Sequence, residues 1–212
     1  MVIACSTMLI DHIGFMFFPE MIELRLIGRI SMPIYAYCIA NGYIHTRNRK
    51  RYIKRISLIA FLSQIPFCLM VQQMKLNTCF TWIVSIAILW CIDGIDKKPV
   101  IKVLTILLLF VVSEYIPMDY GVTAVLWVVM FYIYPKLKLK YSNYFMVVSG
   151  ILISLIHGVP LQLFSVISIT VIWFCEKHNL SCIINKKQKN VYRMFYPLHL
   201  SILILIKICV SR

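Results

Sequence analysis

Apolar runs separated by short polar gaps fill the chain from end to end, at about 3–18, 24–45, 56–71, 79–95, 101–117, 120–135, 142–157, 160–176 and 194–210. Most approach the roughly 17–25 residues that a helix needs to cross a bilayer. The pattern predicts an all-α fold: a polytopic transmembrane bundle of about nine membrane helices, with 1–212 forming a single integral-membrane domain. The longest polar gap, Glu176 to Arg193, has 18 residues and leaves no room for a soluble domain. The turn His157-Gly158-Val159-Pro160 is tight enough that the two segments around it could be a re-entrant pair. No internal repeat is evident.

Composition agrees with the pattern. Hydrophobic residues make up 61% of the chain and charged residues 14%, against roughly a quarter charged in soluble domains. The lipid bilayer is therefore the first partner implied. The opening run lacks a basic leader and a small-residue cleavage site, so it reads as a first crossing. A net charge of +14 raises nucleic acid as a partner, but its placement argues against that. Seventeen of the 22 lysines and arginines fall in His45–Arg55, Asp93–Lys102, Pro135–Ser142 and Glu176–Arg193. The intervening loops carry Glu20, Glu23, Glu114 and Asp119 instead. Basic residues in alternate loops mark the cytoplasmic side, which puts the N-terminus inside and the C-terminus outside. Glu114, Asp119 and His178 read as solvated. The eight cysteines form no C-x-x-C pair, so neither zinc nor a disulfide framework is indicated, and they read as small apolar filler.

Ionisable groups at membrane depth are costly and are functional candidates. Asp11 and His12 lie six or seven residues from the outer end of the first run, about 10 Å deep at 1.5 Å per residue. Arg29 lies at similar depth on the second. Neighbours on a helix point about 100° apart, so Asp11 is expected to pair with Arg29 and leave His12 facing a cavity. The plain alternative is a buried Asp11–Arg29 pair that only fixes helix register. His45 and Arg47 close the second run, and His199 sits about five residues into the last, near the cytoplasmic boundary. The basic residues from Arg47 to Arg55 equally suit topology and anionic lipid. His199 equally suits a core histidine bonded to a backbone carbonyl freed by Pro197, with Phe195 and Tyr196 packing beside it. Histidines on both faces make no metal site.

The segments TMLIDHIGFMFFP, LRLIGRISMPIYAYCIANGYIHTRN, RYIKRISLIAFLSQIPF, NTCFTW, MDYGVTAVLWVVMFYIY and FYPLHLSILILIK occur in an order that resembles the TraX-like family. Those polytopic membrane proteins are named for a conjugative pilin acetylase and are similar to the wider acetyl-CoA-dependent membrane acyltransferases. The most specific matches are the Asp11-His12 pair, G-R-x-x-x-P from Gly28, G-x-x-H-T-R-N from Gly42 and Y-P-x-H-L from Tyr196. Gln64 departs from an acid usual before I-P-F, and Ser85 stands in a helix that lacks an expected glycine.

The resemblance implies acetyl transfer in a bacterial inner membrane, from cytosolic acetyl-CoA to an amine or hydroxyl. The acceptor would be a peptide or pilin N-terminus, or a cell-envelope molecule. His45, Arg47, Arg49, Lys50 and Arg51 could receive the coenzyme phosphates, with His199 and Tyr196 on the same cofactor side. His12 would be the catalytic base or transient acetyl carrier, and Arg29 would stabilise the thioester oxyanion or hold Asp11. Two other classes remain. An Asp-His-Arg cluster also suits a proton-coupled transporter, although no repeat symmetry supports one. A non-catalytic assembly factor would use the basic loops for docking.

Overall fold

The computed structural model describes residues 1–94, 99–137, 142–156, 160–178 and 186–210, with the backbone alone at 142 and 186–190. His157, Lys97, Lys98, Lys138, Lys140 and Cys182 lie outside the described residues or side chains. The helices are α1 (Val2–Phe17), α2 (Ile22–Gly28), α3 (Ser31–His45), α4 (Arg49–Val71), α5 (Thr78–Gly94), α6 (Pro99–Tyr115), α7 (Gly121–Ile133), α8 (Ser142–Leu155), α9 (Ile167–Lys177) and α10 (Lys186–Val210). Short 3-10 turns at Tyr134–Lys136 and Pro160–Val166 extend α7 and precede α9. Over the described residues, each apolar run expected from the sequence is largely helical. Among the described residues, three stretches are long and apolar enough to cross a membrane by themselves: Arg49–Val71, Pro160–Lys177 and Val191–Val210. Outward apolar side chains such as Val100, Leu104, Leu107 and Leu108 on α6 are more than half exposed. In a membrane protein, lipid covers such a face.

The second expected helix is divided in two, and Pro33 is the cause. It has no N–H to give the Arg29 carbonyl four residues earlier, and its ring crowds that carbonyl. The chain turns at Arg29–Ile30 and restarts at Ser31, whose hydroxyl donates to the Gly28 carbonyl at 2.8 Å. The short α2 then lies tightly on α1, with a glycine at each closest point. A side chain on Gly14 would put a Cβ 2.7 Å from that of Leu24, and one on Gly28 would overlap the Asp11 carboxylate.

Around α3 and α7, the side chains of Tyr43, Ile86, Leu89, Trp127, Val128 and Tyr132 are buried into one core. A second cluster of Met16, Phe67, Met70, Leu200 and Leu203 joins α1, α4 and α10. α10 begins at Lys186, eight residues before the apolar run does. His199 is therefore thirteen residues into its helix, about 20 Å from the start, and it lies at the level of His12 on α1, to which it is bonded.

The loop before α5 is braced on the loop before α7. Asn77, fully buried, caps α5 by accepting from the Cys79 N–H at 3.0 Å, and its amide donates to the Ala60 carbonyl at 2.7 Å and to Gln64 Oε1 at 2.9 Å. Gln64 Nε2 donates to the Lys75 carbonyl at 2.7 Å. An ionised acid at 64 could not make that last bond, so the glutamine is fitted to this loop. The Leu76 N–H then donates to the Pro117 carbonyl at 2.8 Å, and the Asp119 N–H to the Leu76 carbonyl at 2.9 Å. The braced segment continues into Tyr120 with φ +60° and Gly121 with φ +41°. A tyrosine in the left-handed region costs on the order of 1–3 kcal/mol, and such strain gathers at functional sites.

Candidate active site at the junction of two cavities

His12 Nδ1 lies 2.8 Å from His199 Nε2. The rings are nearly coplanar, 3° apart with centroids separated by 5.0 Å, so the bond runs in the plane of both. The second nitrogen of His199, Nδ1, lies 2.7 Å from the Phe195 carbonyl oxygen. A carbonyl can only accept, so His199 Nδ1 carries a proton. In the neutral ring Nε2 then has a lone pair, and His12 Nδ1 must donate to it. That assignment follows from the bonding pattern, and it leaves His12 Nε2 unprotonated, with its lone pair unused. A histidine held this way by another group is the arrangement of a general base.

Cavities approach this pair from two directions. One of about 510 Å³, termed outer because it opens among the loops expected outside, is lined by Asp11, His12, Arg25, Arg29, Lys75, Glu114, Asp119 and Tyr120, among others. An inner one of about 340 Å³ is lined by Met8, Tyr35, Cys38, Gly42, Tyr52, Cys79, Tyr192, Arg193 and Tyr196, among others. Asp11, His12, Asp119 and Tyr120 line both. The residues at the outer mouth belong to the loops expected outside, and those at the inner mouth to helix ends beside the basic loops.

Asp11 pairs with Arg25 and not with Arg29. Arg25 Nη1 stands 3.0 Å from Asp11 Oδ1 and donates to the Asp11 backbone oxygen at 3.2 Å. The carboxylate contact is off the hydrogen-bonding direction, so buried Oδ1 has no aligned donor among the described residues. Depth counting placed the right region opposite Asp11, since Gly28 lies against it. It missed that the long Arg25 side chain reaches along the hairpin while Arg29, one residue past Gly28, points elsewhere. Arg29 Nη1 donates to the Tyr120 hydroxyl at 3.3 Å, and its buried Nε has no partner among the described residues.

Asp119 is not a merely solvated loop acid. Its Oδ2 accepts from the Thr78 hydroxyl at 2.5 Å, its Oδ1 stands 3.5 Å from Lys75 Nζ, and its backbone oxygen accepts from Thr81 at 2.9 Å. Glu114 is exposed on the outer mouth, as expected. Arg25, Asp119 and Tyr120 are thus site residues that sequence reasoning missed. Their only linear signal is closeness to other site residues, Arg25 on the helix that leads to Arg29 and Asp119 and Tyr120 next to one another.

The residues expected to receive a coenzyme separate into groups. His199 and Tyr196 belong to the deep site: His199 against His12, and Tyr196 on the inner cavity with its ring 5.8 Å from that of His199. Arg49 is committed elsewhere, with Nη2 2.7 Å from Asp93 Oδ2 and its guanidinium 4.7 Å over the Tyr43 ring. Asp93 also accepts from the hydroxyls of Tyr43, at 3.0 Å, and Tyr132. His45 Nδ1 is bonded to the Asn41 carbonyl at 2.9 Å. Exposed Arg47, Lys50 and Arg51 do not line the inner cavity. The seven cysteines among the described residues are free thiols, and no cluster of three metal-ligating side chains occurs among them.

No solved structure matches the chain. It is similar to a curated protein of Dichelobacter nodosus, "Probable fimbrial assembly protein FimC, serogroup H1", at 31% identity over 70 residues, which is 31% of this chain and 28% of that protein's length. The short match covers part of each partner, whereas the family match covers almost the whole chain. With residues 1–207 matching the family described as TraX protein, the chain belongs to the TraX family.

Proposed function

We propose that this protein is a membrane-embedded acyltransferase. It takes an acetyl group from acetyl-CoA entering at its basic, cytoplasmic end and gives it to an amine or hydroxyl that reaches His12 from the opposite end. One observation carries the reading: His12, whose Nε2 is left unprotonated by the bonding of its partner, lines both an inner and an outer cavity. The family membership supports it. The fimbrial relative favours a pilus subunit, through its N-terminal amine, as acceptor. In this reading the chain crosses a bacterial inner membrane nine times with its N-terminus inside.

The chemistry needs one proton moved and one charge stabilised. His12 Nε2 removes a proton from the acceptor N–H or O–H as that atom attacks the thioester carbonyl. Positive charge on the imidazolium is shared through Nδ1–H with His199. Arg29 and the Tyr120 hydroxyl lie beside the junction, as suits the developing oxyanion. As the C–S bond breaks, His12 returns the proton to the departing thiolate. An acceptor arriving as an ammonium sheds its additional proton to water in the outer cavity. Asp11, held by Arg25, keeps the local field from repelling the imidazolium.

Two opposed cavities meeting at charged groups would also suit a proton-coupled transporter, and the relative's printed name would suit an assembly factor. Acetyl-CoA consumption by the purified chain in proteoliposomes, with a pilin N-terminal peptide as acceptor, separates them. Release of coenzyme thiol matched to peptide acetylation, lost in His12→Ala, is expected. Turnover by His12→Ala at the wild-type rate would sink the proposal.

A further inference from the structure

We infer that the cytoplasmic mouth of the inner cavity is a nucleotide subsite built by Arg193, Tyr192 and Tyr52. It takes the adenosine 3′,5′-bisphosphate head of the coenzyme, in place of the loop residues His45, Arg47, Lys50 and Arg51. The ligand class rests on the acyltransferase reading, while the location rests on the cavity. Among the described residues its wall holds one arginine, Arg193, and no lysine. Arg55 lies alongside: its guanidinium stands 5.7 Å over the Tyr52 ring, and both Arg55 and Tyr52 are electrostatic neighbours of Arg193. Two guanidinium groups at one end of a cavity make that end positive, which favours an anionic ligand there. Arginine is also the side chain whose planar fork fits phosphate oxygens bidentately.

The tyrosines suit the rest of the head group. Tyr52 is fixed, with its hydroxyl donating to the Ile39 carbonyl at 3.2 Å. It stands where a Cβ on Gly42 would be 2.5 Å from its oxygen. Rigid aromatic rings at a mouth are what purines stack on. The spacing agrees as well. Along α3 the cavity lining runs from Gly42 to Ser31, about 16 Å at 1.5 Å per residue. An extended pantetheine arm starting at Arg193 would therefore bring the thioester down beside His12. Arg49 does not line this cavity and is held by Asp93, and the exposed cations Arg47, Lys50 and Arg51 are absent from the cavity wall as well.

The test uses the full-length protein in nanodiscs, with adenosine 3′,5′-bisphosphate as the binding probe. Acetyl-CoA and S-acetylpantetheine, which lacks the nucleotide, serve as competing donors. Arg193→Ala should weaken probe binding at least tenfold. It should raise KM for acetyl-CoA by a similar factor and leave KM for S-acetylpantetheine unchanged, whereas Arg47→Ala should alter neither. Should Arg193→Ala not insert, Tyr192→Ala is read the same way. Wild-type probe affinity in the Arg193 or Tyr192 variant, or an equal loss in Arg47→Ala, overturns the subsite. A wild type with the same KM for both donors also overturns it and leaves acyl transfer standing. A wild type that binds the probe through Arg193 but transfers no acetyl group leaves the subsite and removes the transferase.

Discussion

Replacing His199 by phenylalanine keeps an aromatic ring of similar size but removes the acceptor of the His12 Nδ1 proton, now 2.8 Å away. Leaving a buried donor unsatisfied costs about 1–3 kcal/mol. His12 can avoid that cost by moving its proton to Nε2, where the cavities offer water. The two tautomers would then be reweighted by about that energy, and each 1.4 kcal/mol is a factor of ten. The base-competent fraction should fall roughly five- to hundredfold, and kcat with it, while KM for acetyl-CoA stays within about twofold. His199→Gln tests the cause, because its Oε1 can sit near the lost Nε2 and accept the same proton. It should recover most of the rate. Steady-state acetylation of a pilin N-terminal peptide reads both variants, and 15N spectra of histidine-labelled protein read the tautomer of His12 directly. Equal activity in His199→Phe and wild type, or a Gln variant as slow as the Phe variant, would refute the proton bookkeeping.

Gly28→Ala should destabilise the fold by about 1–3 kcal/mol through overpacking, because its Cβ overlaps Asp11. Gly94→Ala, whose nearest neighbour is 3.5 Å away, should be nearly silent, and thermal unfolding in detergent compares them. Arg25→Ala should lower stability more than Arg29→Ala, since it leaves Asp11 buried without its ion-pair partner. Such losses run to about 3–5 kcal/mol when fully buried, and less here because Arg25 is 23% exposed. Single-cysteine labelling with a membrane-impermeant maleimide in a cysteine-free background should reach Glu20→Cys from outside and Arg51→Cys only from the cytosol. The reverse pattern would invert the proposed direction of transfer.

The helices were readable because burial in lipid writes itself into composition: over the described residues, each apolar run is largely helical. What the linear pattern could not carry was depth and direction. Counting along separate runs gave His12 and His199 different depths, whereas in the fold the two rings are bonded, a contact that depends on how α1 and α10 are shifted along each other. That one error hid the most informative contact in the protein, since it put two bonded histidines on opposite faces. The Asp11 partner was missed for a different reason. Depth matching set Arg29 level with Asp11, one residue past the Gly28 that lies against it, but residues adjacent on a helix diverge by about 100°. Position alone cannot choose between Arg25 and Arg29. Pro33 was visible, and its effect could have been read: it divides the helix at Arg29–Ile30, which is where Arg29 turns toward Tyr120. Asp119 and Tyr120 required the fold, because their placement depends on Asn77 and Gln64, more than forty residues earlier, bracing the loop that presents them. The motifs that resembled the family were thus those whose chemistry is local. The groups that assemble the site around them are fixed by long-range bonds, which a single sequence does not show.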